Sequence, residues 1–256
     1  GSGAVTGVNV YVIDTGIATH GDLNKINHLN FTTDGKNYDC HGHGTHVSGT
    51  IGARDDTTAV VGMAPYVRLT GIKVLDCSGS GTDSTVIKGL DWVTANAVKP
   101  AVANMSLGGG TSSTLDAAVT KAVNAGVFFA IAAGNSAANA CNSSPARVGG
   151  ALNGAITTAA TDSANKEASF SNYGTCVDLW APGVSILSTY LNSGLATMSG
   201  TSMASPHVAG AAALYLSRHP TASPATVEAA IKQTAIRTGT VSKDGRAISR
   251  LDVISF

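Results

Sequence analysis

The chain has 256 residues, of which 12% are charged and 43% hydrophobic, and its formal net charge is zero. The share of charged residues is low, since a typical folded domain has about a quarter. The sequence shows no repeat, low-complexity tract or linker that would mark a boundary, so we expect a single domain that spans residues 1–256. A neutral chain lacks the basic surface that attracts nucleic acid or anionic lipid. No apolar run approaches the roughly 18 residues of a membrane span, and no signal peptide opens the chain. We therefore expect neither nucleic acid nor a membrane as a partner.

Strands and helices alternate along the chain. Apolar, β-branched segments predict strands at 8–13, 68–75, 101–105, 127–132, 155–160 and 177–181. Apolar residues at helical spacing predict helices at 85–98 and 114–125, and Ser223-Pro224 predicts the start of a helix that reaches about Ala235. This order predicts an α/β fold of three layers, a mainly parallel twisted sheet with right-handed crossovers and helices on both faces.

An acid closes the first predicted strand. Asp14 follows the apolar segment 8–13 and precedes Thr15-Gly16. Open α/β sheets place ligands and catalytic groups at the carboxyl ends of their strands, so Asp14 is a candidate functional residue. The alternative is an Asx-type turn that only caps the strand.

Three histidines, His41, His43 and His46, lie within six positions. The segment has no nearby carboxylate in a zinc-ligand pattern and no H-E-x-x-H motif, so we favour no metal there. Small residues around His46 allow close packing against a neighbouring helix. That environment suits a histidine held at a site.

Ser202 stands at the start of a long alanine-rich run, which predicts a buried helix. The N-terminus of a helix presents unpaired backbone N–H groups and a partial positive charge. A serine hydroxyl there is placed to attack a carbonyl, with a backbone N–H facing the developing negative oxygen. The alternative is that Thr201 or Ser202 is an ordinary N-cap. Asn135, after the strand 127–132, is either a turn residue or a donor to such an oxyanion.

Two glycine-rich segments carry little side-chain bulk, Gly79-Ser80-Gly81 and the segment 106–110. Another extended backbone can lie against such segments, which is how a peptide binds by strand addition. Tight turns explain either segment equally well.

Four motifs together resemble the subtilisin-like serine proteases. They are Asp14-Thr15-Gly16, His43-Gly44-Thr45-His46, Ala132-Ala133-Gly134-Asn135 and the segment 200–207, in the family's order. Segments 91–93, 103–109 and 170–174 are similar to the proteinase K branch, and within it to the aqualysin type. The resemblance implies a subtilisin-like fold and a triad of Asp14, His46 and Ser202, with Asn135 as oxyanion donor.

The same resemblance implies a secreted endopeptidase that acts on polypeptides as a monomer, made with an inhibitory propeptide. The implied substrate-lining residues are Gly79, Ser80, Gly81, Ser106, Leu107, Gly108, Ala132, Ala133 and Gly134. None of them is charged, so the pocket is expected to be broad in specificity and to favour apolar or aromatic residues before the cut. Ser143 stands where near relatives carry Tyr. It either deepens the pocket or faces solvent.

The four cysteines allow three pairings, and the resemblance selects Cys40–Cys77 and Cys141–Cys176. Disulfides suit a secreted protein, whereas four buried thiols would suit a cytosolic one. The resemblance also implies a structural calcium ion, bound by Asp178 and by backbone carbonyls near Asn153 and Ala155. The alternative is that Asp178 is a surface residue or a salt-bridge partner. No cofactor is expected for catalysis.

The sequence departs from the family pattern in two places. Asp14 stands nearer to the start of the chain than the catalytic acid of relatives, which we interpret as a shortened N-terminus. His41 replaces their usual Asn or Asp.

A catalytically silent relative that serves as a binding module is the second functional hypothesis, and the complete set of triad residues argues against it. A nucleotide-binding protein ranks last, because no G-x-G-x-x-G turn follows the first strand.

Overall fold

The computed structural model describes residues 4–57 and 60–254. Its helices are α1 (His43–Gly52), α2 (Asp83–Asn96), α3 (Ser113–Asn124), α4 (Thr201–Arg218) and α5 (Pro224–Thr234). Its strands are β1 (Asn9–Asp14), β2 (Lys25–Asn30), β3 (Arg68–Lys73), β4 (Ala101–Met105), β5 (Val127–Ala132), β6 (Ala155–Thr161), β7 (Leu179–Pro182), β8 (Ile186–Thr189), β9 (Leu195–Met198), β10 (Ile236–Val241) and β11 (Ala247–Arg250). In the described part of the chain, no helix is long and apolar enough to cross a membrane.

Among the described residues, nine strands form one sheet in the order β10-β11-β7-β6-β5-β4-β1-β3-β2. From β11 to β2 every neighbouring pair is parallel, and only β10 runs antiparallel to its neighbour. The strands β8 and β9 form a separate antiparallel hairpin. The mainly parallel sheet is therefore confirmed, and it places the carboxyl ends of β1, β4 and β5 side by side at one edge.

Helices cover both faces of the sheet. Val10 and Val12 of β1 pack in one core cluster with residues of α1, α4 and α5. Tyr11 and Ile13 pack in a second cluster with residues of α2 and α3. Successive side chains of a strand point to opposite faces, so an apolar strand must be covered on both. This arrangement confirms the predicted three layers.

The central strands follow their predicted bounds, whereas helix α1, the strands at both edges of the sheet and the hairpin were not predicted. Strands β4 and β5 coincide with the predicted segments 101–105 and 127–132. Helix α2 begins two residues earlier than predicted, because the Thr82 hydroxyl accepts a hydrogen bond from the Thr85 amide and caps the helix. The elements that were not predicted carry mixed polar and apolar residues. They are α1, β2, β8, β9, β10 and β11. Their sequences lack the continuous apolar signal of the central strands.

The structure contains both predicted disulfides, Cys40–Cys77 and Cys141–Cys176. The first joins the segment before α1 to the loop after β3. The second joins the loop after β5 to the segment before β7. Each bridge therefore anchors a loop that lies beside the carboxyl ends of the central strands.

Candidate active site

Asp14 lies at the end of β1 and is completely buried. Its Oδ1 accepts hydrogen bonds from the Thr15 amide, at 2.7 Å, and from Nδ1 of His43, also at 2.7 Å. Strands β3 and β4 flank β1 on either side, so the backbone that carries this carboxylate is fixed within the sheet. The histidine that contacts Asp14 is therefore His43 and not the predicted His46.

The structure contradicts the prediction that His46 belongs to the triad. His46 lies one helical turn beyond His43 in α1, and its Nε2 is 3.0 Å from each of the carbonyl oxygens of Ile186 and Ala196. Those carbonyls belong to the β8–β9 hairpin. His43, the first residue of α1, occupies the position that was assigned to His46.

A glycine explains why His43 is the residue that reaches Asp14. A Cβ on Gly44 would lie only 2.1 Å from the carbonyl oxygen of Gly16 and 3.2 Å from Asp14 Oδ1. Helix α1 therefore makes its closest approach to the turn after β1 at position 44, which any side chain would obstruct. The residue just before that glycine is held beside Asp14. This was the sequence signal that could have identified His43.

Asp39, which was not predicted, connects the two elements that carry Asp14 and His43. Its Oδ1 accepts from the amides of His41 and Gly42, at 3.0 and 2.8 Å, and from the Thr15 hydroxyl at 2.9 Å. Its Oδ2 accepts from the amide and the hydroxyl of Thr45, at 2.9 and 2.6 Å. A buried carboxylate at a helix N-terminus satisfies amides that the helix leaves unpaired. Asp39 thereby fixes the first turn of α1 against the turn after β1.

The two histidines also differ in their proton affinity. Burial lowers the pKa of His43, but the charge of Asp14 and its hydrogen bond outweigh burial and raise this pKa above the usual 6.5. Burial lowers the pKa of His46 below 6.5. An imidazole that accepts a proton readily and faces a cleft suits a general base, and only His43 meets both conditions.

Ser202 lies in the first turn of α4, where its hydroxyl donates to the carbonyl of Ser106 at 3.2 Å. The Ser106 hydroxyl in turn donates to the carbonyl of Ser202 at 2.8 Å. Asn104 donates to the Ser106 hydroxyl at 2.9 Å and accepts from the Ser205 hydroxyl at 2.8 Å. This chain of buried polar side chains ties the N-terminus of α4 to the end of β4. Ser202 is thereby positioned by the sheet as well as by its own helix.

The orientation of the Asn135 amide follows from its partners. Its Oδ1 accepts from the amide of Thr201 at 2.8 Å and from the Thr201 hydroxyl at 2.9 Å. A backbone amide can only donate, so the oxygen must face Thr201 and the NH₂ group must face the other way. A Cβ built on Gly200 would be 3.5 Å from Nδ2. The two donors of this amide therefore lie beside the backbone that leads into Ser202.

Two adjoining clefts contain the predicted substrate-lining residues. The first is lined by His43 and by the glycine-rich loop Gly79, Ser80 and Gly81, together with Ser106, Leu107, Gly108 and Gly109. The second is lined by Ser202 and Asn135, together with Leu107, Gly108, Gly109, Ala132, Ala133, Gly134 and Ser143. The segment 107–109 forms a wall of both clefts. The segment 107–109 thus connects the cleft that contains His43 to the cleft that contains Ser202.

The expected calcium site at Asp178 does not fit this structure. Oδ1 of Asp178 forms an ion pair with Nζ of Lys232 at 3.0 Å, and Oδ2 accepts from the Thr157 amide at 2.8 Å. An ammonium group therefore already neutralises the Asp178 carboxylate, which was expected to bind calcium together with carbonyls near Asn153 and Ala155. Of the two interpretations of Asp178, the structure shows the salt-bridge partner.

One further group of potential metal ligands occurs among residues 4–57 and 60–254, formed by Asp34, Cys40 and Cys77. Both sulfurs are used in a disulfide, and Asp34 Oδ2 is 3.1 Å from the buried ammonium of Lys73. Metal binding by cysteine requires the thiolate. This group is therefore a disulfide beside an ion pair and not a metal site.

Fold and site together define an α/β protein whose cleft joins a buried Asp–His pair to a serine at a helix N-terminus. The profile of the subtilase family, Peptidase_S8, matches residues 5–251, and the chain belongs to this family. An extracellular serine proteinase of Thermus sp. (strain Rt41A) is 53% identical over 238 residues, which are 88% of this chain and 54% of that protein. An alkaline serine exoprotease A of Vibrio alginolyticus is 50% identical over 250 residues, which are 96% of this chain and 45% of that protein.

Solved structures agree with the family assignment. The crystal structure of a cold-adapted subtilisin-like serine proteinase superposes with a TM-score of 0.91 at 44% identity, covering 100% of this chain and 92% of that one. The chain spans about half the length of the two curated relatives above. Its likeness to the solved structure, in contrast, extends over nearly the whole of both chains.

Proposed function

We propose that this chain is the catalytic domain of a secreted serine endopeptidase that cleaves polypeptides through an acyl-enzyme intermediate. The observation that carries the proposal is the 2.7 Å contact between the buried Asp14 carboxylate and His43, in a cleft whose wall continues to Ser202. Membership of the subtilase family supports the same conclusion. The triad that we propose is Asp14, His43 and Ser202.

In the proposed mechanism the Ser202 hydroxyl attacks the peptide carbonyl while His43 takes its proton through Nε2. His43 then gives this proton to the leaving amine, and water repeats the cycle on the acyl-enzyme. Asp14 fixes the imidazole tautomer, because it accepts the hydrogen bond of Nδ1. In the structure the Ser202 hydroxyl donates to the Ser106 carbonyl. In the proposed mechanism this hydroxyl turns toward His43 when substrate binds. Such catalytic hydrogen bonds often form only in the substrate complex.

The negative oxygen of the tetrahedral intermediate needs donors aimed at it. The Nδ2 group of Asn135 and the backbone amide of Ser202 are the proposed donors. Asn135 is suited to this role because its oxygen is held by Thr201, so its amide cannot turn away. Fixed donors of this kind act without reorganisation at the moment of reaction.

Stoichiometric labelling by an organophosphate tests the proposal directly. We expect one label per folded chain, attached to Ser202, because an organophosphate reacts readily with an activated serine and not with an ordinary serine hydroxyl. The variant Ser202→Ala should take up no label. The matched control Ser217→Ala, near the end of the same helix and outside the hydrogen-bond chain that positions Ser202, should still be labelled. A folded wild-type chain that stays unlabelled would favour the silent binding module instead.

The proposed substrate is a polypeptide with an apolar or aromatic residue before the cut. None of the residues lining the second cleft is charged, so nothing there offers a partner for Lys or Arg. An apolar pocket discriminates weakly, since one methylene is worth about 1–3 kcal/mol. Ser143 lies in the wall of this cleft, which supports its role in the depth of the pocket.

Peptides blocked at both ends and differing only in the residue before the cut provide the measurement. We expect Phe, Tyr, Leu and Met to give the highest kcat/KM, and we expect Ser143→Tyr to reduce cleavage after the large aromatic residues several-fold. The exposed Ser163 offers the control Ser163→Tyr, which should keep the wild-type profile. Preference for Lys or Arg would overturn the apolar pocket. Failure to cleave any doubly blocked peptide would favour an exopeptidase, the activity named for the Vibrio relative.

Secretion, a propeptide and a monomeric state complete the proposal. The name of the Thermus relative describes an extracellular protein, and two disulfides suit an oxidising compartment. The inhibitory propeptide and the monomer rest on the family resemblance alone, and refolding yield and gel filtration test them. Catalysis requires no cofactor in this proposal. Structural calcium stays a prediction of the resemblance, without Asp178 among its ligands.

A further inference from the structure

We propose that the ammonium group of Lys232 replaces a structural calcium ion at Asp178, so that this part of the fold is stable without the metal. Lys232 lies in α5, and its Nζ is 3.0 Å from Asp178 Oδ1 and 3.1 Å from Glu228 Oε1. The ammonium thus bridges two carboxylates from different elements. This is the position that a shared cation takes between oxygen ligands.

The remaining two oxygens of these carboxylates are also used. Oδ2 of Asp178 accepts from the amide of Thr157 at 2.8 Å, and Oε2 of Glu228 accepts from the amide of Gly154. Gly154 lies between the two residues whose carbonyls were expected to bind calcium. The loop that would otherwise be organised by the metal is therefore held by Glu228, and Glu228 is held by Lys232.

Burial makes a cation at this position necessary. The side chains of Asp178 and Glu228 are 1% and 10% exposed, and the charged groups that act on Asp178 are Lys232 and Glu228. Two buried carboxylates near each other are unstable without a positive charge between them. Lys232 supplies it through a side chain that is 42% exposed, with its charged end at the buried carboxylates.

The ammonium and a calcium ion exclude each other there. Calcium binds oxygen ligands at about 2.3–2.6 Å, so an ion on Asp178 Oδ1 would meet the ammonium that already contacts this atom. The cluster also performs the structural task of such an ion. It joins α5 to the start of β6 and to the residue just before β7, which are far apart in the sequence.

The test measures how calcium changes the melting temperature of inactive chains that all carry Ser202→Ala, which prevents self-digestion. Lys232→Met removes the ammonium and keeps an unbranched apolar stem with similar helix propensity. We expect millimolar calcium, compared with excess chelator, to raise the melting temperature of Lys232→Met by about 5 °C more than that of its parent. Adding Asp178→Asn to Lys232→Met should abolish this gain.

The matched control is Lys121→Met. Lys121 also pairs with an aspartate at 3.0 Å, but both side chains are more than half exposed, so its loss should leave the calcium response of the parent unchanged. Equal calcium responses of Lys232→Met and its parent would overturn the proposal. Asp178→Asn alone provides a measurement that does not need Lys232→Met to fold. The proposal expects this variant to keep the parent's calcium response, and loss of that response would contradict it.

Discussion

His43→Ala is expected to lower kcat by about a million-fold, as removal of the triad histidine does in subtilisin. His43 contacts the buried carboxylate of Asp14 and lines the first cleft, so its loss removes the Asp14–His43 pair that we propose takes the proton of Ser202. His46→Gln should keep kcat within about tenfold, a difference of 1.4 kcal/mol. His46 contacts two backbone carbonyls of the β8–β9 hairpin, and Gln retains a donor for them.

The pH profile gives a second measurement on the same histidine. A general base must be unprotonated, so kcat/KM rises with pH through the pKa of the free enzyme. Asp14 raises the pKa of His43 above 6.5, which places the acid limb of the profile above that pH. His46→Gln should leave this limb in place. A large loss of kcat in folded His46→Gln, or a small one in His43→Ala, would restore the original assignment of His46.

Position in the fold explains which site residues were predictable. Asp14 follows a continuous apolar strand and Ser202 begins an alanine-rich helix, so their sequence neighbours already place them at strand and helix ends. His43 and His46 share one short motif and one helix, and among their sequence neighbours only Gly44, which follows His43, distinguishes the two. The distinction arises from the approach of Gly44 to the Gly16 carbonyl, which is a contact between distant segments.

Long-range polar contacts account for the remaining omissions. Asp39 lies in a segment without regular structure, and its role appears only when α1 and the turn after β1 are brought together. Glu228 and Lys232 are four residues apart on a helix, which by sequence alone indicates an ordinary surface pair. The buried Asp178, the second partner of Lys232, comes 54 residues before it. Such partnerships are set by the tertiary fold and leave no local pattern.

Asn135→Ala is expected to lower kcat by about 100- to 1000-fold while KM changes little. In the proposed mechanism the Asn135 amide donates to charge that develops only in the transition state, so its loss should affect turnover more than substrate binding. Asn135 has a second task, however, because its oxygen accepts two hydrogen bonds from Thr201. Loss of activity in Asn135→Ala alone would therefore have two explanations.

Thr201→Val separates the two explanations. Valine has nearly the shape of threonine, keeps the backbone amide that donates to Asn135 and removes the hydroxyl that also donates to it. If Asn135 acts as the oxyanion donor, Thr201→Val should cost less than about tenfold in kcat, since the Nδ2 donor remains. Steady-state kinetics of both variants on one blocked peptide decide whether Asn135 donates to the oxyanion or only supports Thr201. Circular dichroism verifies that each variant is folded. If folded Asn135→Ala keeps more than half of the wild-type kcat, Asn135 is not an oxyanion donor. If Asn135→Ala and Thr201→Val lose kcat equally, Asn135 acts only by supporting Thr201.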